Sequence, residues 1–321
     1  MSFVARYGLV VVFVAVCALF SIVNSDTFPT LDNAQTVAST QAVVAVVALA
    51  AMVPLVTGQL DLSLGFVVGL GQALCAGLMI KEGLPAGLAM LIVLAAGVAV
   101  GAINGLLVVR MRMNAFIATL GTGILVLGAT EWYTGNLIIT GSLPPSFLDL
   151  GQSQLGPVPL PFVYVLVCCA ALWIALEYTA WGRRCFAAGG NPRAALLAGV
   201  NVDRVTMQSF VVAGLLAGVA GILSVAIIGS SSPGVGLNYL LPAFAGAFLG
   251  ATSIRPGRFN AIGTVIGIYL IAVGITGLQQ LGAAFYTTEF FNGGALLIAV
   301  ALSAGAARRQ RAKSAAAAAA A

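Results

Sequence analysis

Histidine is absent from this sequence, and only 7% of its 321 residues are charged. Without histidine the chain lacks the side chain that most often moves protons or binds metals near neutral pH. No cluster of Cys, Asp and Glu has metal-ligand spacing, and no nucleophile–base set suggests an enzyme. A GxxxxGK[ST] phosphate loop is also missing, so the chain does not cradle ATP itself. The five cysteines (Cys17, Cys75, Cys168, Cys169, Cys185) show no CxxC spacing and imply no disulfide framework. They read as small apolar packing residues. The net charge of +5 comes from short basic clusters between apolar runs, not one basic face, so no nucleic-acid partner is expected.

What is abundant is apolar surface. Hydrophobic residues make up 60% of the chain, and the mean hydropathy is +1.07. Runs such as "LVVVFVAVCALFSIV" and "LPAGLAMLIVLAAGVAVGAINGLLVV" are long enough to cross a hydrocarbon core of about 30 Å as helices. They lack the period-two alternation of a barrel strand. The expected fold class is all-α: a polytopic transmembrane helical bundle in contact with membrane lipid. Val16 stands before Cys17 where lipoprotein cleavage needs a small residue, so the first run reads as a retained span.

Gly, Pro and charge punctuation divides the chain into about ten spans, near 8–25, 36–58, 62–80, 84–108, 115–134, 162–180, 206–228, 237–253, 260–281 and 286–305. With a cytoplasmic N-terminus, thirteen of the fourteen basic residues fall inside and only Lys81 outside. The positive-inside rule therefore places both termini in the cytoplasm. Residues 1–307 read as a single transmembrane domain, and 308–321 as a basic, then alanine-rich, cytoplasmic tail. Two stretches, "MVPLVTGQLDLSLGFVVG" and "GSSSPGVGLNYLLPAFAGAFLG", carry Gly and Pro at membrane depth and read as broken helices. Transporters tend to bind substrate at such breaks.

The longest inside connection, 181–205, contains "AAGGNPRAALLAG". Gly189 and Gly190 suit a tight turn, Asn191 an N-cap, Pro192 the first helical position, and Gly199 a stop. Asn201 and Asp203 then open the next helix. So short a helix is marginal alone, and Leu196 and Leu197 give it an apolar side. By physics it is either a capped connector on the membrane surface or a docking helix.

The segment "WGRRCFAAGGNPRAALLAGVNVDRV" resembles the cytoplasmic coupling segment of permease subunits of bacterial ABC sugar importers, the ribose, xylose, arabinose and rhamnose type. "GQLDLSLG", "GAINGLLVVRMRMNAFIATLGT" and "AFLGATSIRPGRFNAIGTVIG" extend the likeness over nearly the whole chain. Gln59, Asn114 with Ala115, and "IRPGR" depart from the family's pattern. The resemblance implies an inner-membrane importer of several chains: two permease subunits, copies or paralogues, two ABC ATPase domains holding ATP and Mg, and a periplasmic sugar-binding protein. It implies no cofactor on this chain. Gly190, Asn191, Pro192, Arg193, Ala194, Ala195, Leu196 and Leu197 become the contact with the ATPase.

A sugar path needs amides and hydroxyls rather than charge. Asp61, Gln72, Asn104, Thr119, Thr122, Gln208 and Tyr269 are the polar candidates in or beside the apolar spans. Against this, Asn104 with Gly101 and Gly105, and Thr119 and Thr122 with Gly121 and Gly123, suit interhelical bonding in close packing. Asp61 suits a cap on a helix beginning at Leu62. Trp132 and Tyr133 suit an interfacial belt. The main alternative function is an ion-coupled secondary transporter, which would need paired intramembrane carboxylates where only Asp61 is offered. A channel lacks a selectivity-filter motif.

Overall fold

The computed structural model describes residues 3–301, so the predicted 308–321 tail and the end of the last predicted span lie outside the described residues. The chain runs through α1 (Phe3–Val23), α2 (Leu31–Thr40), α3 (Ala42–Val56), α4 (Leu64–Ile80), α5 (Ala86–Val109), α6 (Ala115–Thr134) and α7 (Pro145–Gln152). A minimal hairpin of β1 (Gln154–Leu155) and β2 (Val158–Pro159) leads into α8 (Leu160–Tyr178), α9 (Ala180–Gly190), α10 (Pro192–Leu197) and α11 (Val202–Ile228). α12 (Leu237–Gly250), α13 (Ala261–Gln280) and α14 (Thr287–Ala301) complete an all-α bundle. Among the described residues, five helices are long and apolar enough to cross a membrane, and α2 with α3, bent by 43°, makes a sixth. Four shorter apolar helices, Tyr7–Val23 within α1, α4, α12 and α14, occupy the remaining predicted span positions.

α3 is the axis of the bundle. Every one of its residues is buried, which accounts for a segment apolar on all faces and without a charge. α11 packs along α3, α4 and most extensively α5. The α5–α11 contact works because both helices present small residues: a Cβ on Gly97 would collide with the Gly214 carbonyl, and one on Gly101 with the Phe210 carbonyl. Two backbones in lipid gain most of their attraction from such close approach. On the other side of α3, α12 and α13 pair with each other, and α1 lies against α13.

Charge sorts to the two ends. At one end Arg112 forms a two-pronged ion pair with Asp203, both bonds 2.9 Å. Arg255 pairs with Glu177, and the Arg258 guanidinium lies 3.8 Å from the Phe186 ring centre. At the other end Lys81 reaches toward the Tyr133 carbonyl at 3.5 Å. Tyr133 itself turns inward: its ring sits where a Cβ on Gly77 would be, so it packs between helices where a belt position was expected. Trp132, 85% exposed, faces outward.

Candidate functional site

The 181–205 segment folds as α9, α10 and the start of α11, with caps where the sequence signalled them. Asn191 Oδ1 accepts from Ala194 N at 3.1 Å with Pro192 in the first turn. Gly199 adopts φ +80, and Asn201 Oδ1 accepts from Arg204 N at 2.9 Å. The glycine pair behaves differently from expectation. Gly189 and Gly190 continue α9 to its end instead of forming a tight turn. Gly189 is required by close approach: a Cβ there would overlap the Val56 carbonyl and lie 3.1 Å from the Thr57 carbonyl carbon. Gly190 has nothing within 4 Å of such an atom. Thus α9 rests on the end of α3.

Of α10, only Ala195 is buried. Leu196 and Leu197 are 66% and 90% exposed, and Arg193 and Ala194 are exposed as well. The leucines therefore do not pack on this chain's bundle. A groove of about 560 Å³ runs beside them, lined by Arg112, Arg193, Leu196 and Asp203 among others. Cys185, on the inner face of α9, is fully buried, and that burial pushes its thiol up to about 12.

Residues 57–63, between α3 and α4, form the first break. Thr57 Oγ1 donates to the Pro54 carbonyl at 2.9 Å and meets Ser209 Oγ at 3.2 Å. Gly58 takes φ +80 and lies beside Gly189. Asp61 is buried, and its Oδ1 accepts from Ser63 N at 3.0 Å and Ser63 Oγ at 2.6 Å. The expectation that Asp61 caps a helix at Leu62 needs correction. The helix begins at Leu64, no side chain caps it, and Asp61 closes a turn at Ser63. Asn104 Nδ2 donates to Ser63 Oγ at 2.7 Å, while Asp61 Oδ2 and Asn104 Oδ1 have no partner. Thr119 Oγ1 accepts from Leu62 N at 3.0 Å and donates to the Ala115 carbonyl at 2.7 Å. Asp61, Asn104 and Thr119 therefore meet around the break, the first two joined by Ser63, which carried no signal in the sequence, and Thr119 tied in through Leu62 N.

The second break, residues 229–236, packs against the first turns of α4, into which the first break leads. A Cβ on Gly236 would overlap the Gly65 carbonyl and lie 2.7 Å from Gly69 N. Its outer part is tied to the α6–α7 loop by a two-bond bridge between Ile139 and Ser231, 2.9 and 3.0 Å. Gln72 Nε2 donates to Ser224 Oγ, which lies 3.3 Å from the Tyr239 hydroxyl, so α4, α11 and α12 share one polar chain. Ser224 and Tyr239 were not singled out from sequence; an isolated Ser or Tyr in an apolar run carries little signal.

The other candidates stand apart. Thr122 Oγ1 bonds its own helix at the Ala118 carbonyl, 2.9 Å. Tyr269 donates to the Ala38 carbonyl at 2.9 Å and stacks edge-on with Phe162. It supplies a donor to the last turn of α2, where the helix ladder is interrupted. Gln208 lies on an exposed face of α11 and not in the interior. Asn114, one departure from the family's pattern, caps α6 by accepting from Phe116 N at 2.9 Å.

Residues 33–301 match the family described as the permease component of the branched-chain amino acid transport system. The chain belongs to this family. The permease is 37% identical to the ribose import permease protein of Bacillus subtilis (strain 168) over 234 residues, 72% of each chain. It is 34% identical to the ribose import permease protein of Escherichia coli (strain K12) over 279 residues, 85% of this chain and 86% of that one. It is 31% identical to the autoinducer 2 import system permease protein of Escherichia coli O9:H4 (strain HS), over 78% of this chain and 77% of that one. No solved structure matches it. The permease is accordingly a multi-pass membrane transport subunit and not an enzyme.

Proposed function

We propose that this permease is the membrane subunit of an ATP-binding-cassette importer that carries a monosaccharide, a pentose above all, across the bacterial inner membrane. Separate ATPase chains hold ATP and Mg, a periplasmic sugar-binding protein delivers the substrate, and a second permease, copy or paralogue, completes the pore. The identity to ribose import permeases over most of both chains supports the substrate class.

The observation that carries the mechanism is the exposure of Leu196 and Leu197 on a capped helix. Two large apolar side chains in water at the arginine-rich end need a partner, and an ATPase groove that accepts a short helix provides one. Gly190 to Leu197 form that contact in this reading, with Arg193 its charged element. Movement of α10 reaches α9, and through Gly189 the end of α3 and the 57–63 break. The ion-coupled alternative lacks its device: the bonds around Asp61 come from Ser63, not from a second carboxylate.

Ten crossings with both termini cytoplasmic fit the same reading. α12, at 14 residues, covers only about 21 Å at 1.5 Å per residue, so the irregular 229–236 segment completes its crossing inside the protein. Affinity purification from native membranes in mild detergent tests the proposal. The intact chain should bring down an ATPase, and a Leu196→Ser/Leu197→Ser double variant or Arg193→Glu should bring down much less while inserting normally. A chain that purifies alone yet takes up solute would refute it.

A further inference from the structure

Away from the coupling segment and the Asp61 cluster, α2, α3, α12, α13 and α14 enclose a cavity of about 440 Å³. That is within the range of small-molecule sites. It lies at the end of the bundle remote from the arginines, and among the described residues its walls hold no charged side chain. Thr40, Gln41, Asn238, Tyr239, Thr276 and Asn292 supply hydroxyls and amides over an aliphatic floor from α13. Such groups both donate and accept, which is what a ring of hydroxyls requires, while the aliphatic floor suits the C–H face of a sugar. A zwitterionic amino acid would leave its ammonium group here without an anionic partner.

Two further observations mark the cavity as a ligand site. Asn292 lines the cavity and its Oδ1 is buried without a partner, so turning the amide toward a ligand donor would relieve that cost. The backbone is also interrupted on two sides. Gln41 stands at the 43° bend between α2 and α3, and Pro242 inside α12 withdraws the N–H that the Asn238 carbonyl would otherwise accept. At Pro242 this leaves the Asn238 carbonyl for a polyol donor, whereas at the Gln41 bend the Gln41 and Ala38 carbonyls already accept from Ala45 N and the Tyr269 hydroxyl. Behind the wall, Tyr239 is held by Ser224, and Ser224 by Gln72.

We infer that this cavity holds the neutral polyhydroxylated substrate within the chain, with the Asn292, Asn238 and Tyr239 side chains as its main polar partners. The inference rests on the importer reading and moves the substrate contacts away from Asp61, whose bonds close a local turn at Ser63, and from Asn104 and Thr119, whose bonds tie α5 and α6 to the first break.

The test uses the full complex in membrane vesicles, with cysteine placed at Thr276 and, separately, at Asn292. Labelling by a charged methanethiosulfonate is followed above the background of the native thiols. D-Ribose at twice its half-saturating concentration should slow labelling about threefold at both positions by occupancy, and L-leucine should not. Thr276→Val and Asn292→Leu should each lower D-ribose uptake about tenfold, the scale of one lost hydrogen bond, with the ATPase still co-purifying. Unchanged labelling with D-ribose, in vesicles whose unmodified permease takes up D-ribose, overturns the assignment, as does protection by L-leucine alone. A permease that neither takes up an aldopentose nor brings down an ATPase fails the importer reading, and the cavity assignment with it.

Discussion

Gly189 and Gly190 are adjacent, identical and both at the end of α9, yet alanine should affect them in opposite directions. At Gly190 a methyl group meets nothing within 4 Å, so the change gains helix propensity of up to about 1 kcal/mol. At Gly189 the methyl would overlap the Val56 carbonyl and crowd the Thr57 carbonyl carbon at 3.1 Å. Backbone has no rotamer to escape into, and relief requires α9 to back away by on the order of an ångström, since carbon atoms prefer separations of about 3.5 Å or more. Overpacking of this kind costs about 1–3 kcal/mol. Gly189→Ala should therefore lower the midpoint of thermal unfolding in detergent, while Gly190→Ala leaves it equal or higher. Because the clash is at the seat of α9 on the first break, Gly189→Ala should also lower ATP-driven uptake more than it lowers surviving protein. Equal behaviour of the two variants in both assays would refute the close approach of α9 to α3.

Asn104→Ala removes the donor to buried Ser63 and should cost about 1–3 kcal/mol of stability, read as a larger thermal shift than Thr122→Ala, whose hydroxyl bonds only its own helix. Cys185, fully buried with its thiol pushed up to about 12, should resist maleimide at neutral pH until the chain unfolds, then react. Lys81→Cys should label from the periplasmic side of intact cells, and Arg258→Cys only after permeabilisation; labelling of both from one side would contradict the proposed ten crossings. Gly236→Ala, which would overlap the Gly65 carbonyl, should depress uptake while ATPase activity of the purified complex persists, because the clash lies between the second break and α4 and away from the proposed ATPase contact on α10.

The caps of the 181–205 segment were legible because each rests on a local rule: Asn191 and Asn201 accept from backbone N–H groups three residues on, as capping asparagines do. The all-α class followed from long apolar runs, and both breaks from Gly and Pro at membrane depth. What depended on partners distant in sequence was not legible. Gly189 looks like a turn residue until Val56 is placed against it. Asp61 looks like an N-cap until the helix is seen to begin at Leu64. Gln208 sits in an apolar run like Gln72, and only the packing of α11 shows one exposed and the other buried. The cavity between α2, α3, α12, α13 and α14 draws on five helices, and its residues share no local signature.

The contacts form a continuous line through the chain. Exposed Leu196 and Leu197 sit on α10, which Asn191 joins to α9; Gly189 of α9 rests on Val56; the 57–63 break leads to Gly65; and Gly65 abuts Gly236, two residues from Asn238 on the cavity wall. Two of these joints are glycines pressed on backbone carbonyls, where a small shift cannot be absorbed by side-chain rotation. Spatial continuity alone does not make a pathway, because coupling requires an element with two arrangements that both ends can bias. The two breaks are suited to that role: they are irregular, the second abuts the start of α4 into which the first leads, and beside the first lie buried acceptors, Asp61 Oδ2 and, on α5, Asn104 Oδ1, that lack donors in the arrangement described. An alternative arrangement that supplies those donors would be favoured by hydrogen bonding and opposed by the packing at Gly65 and Gly236. ATP-driven motion of α10 would then need only to tip a balance of a few kcal/mol rather than to drive the bundle open by force.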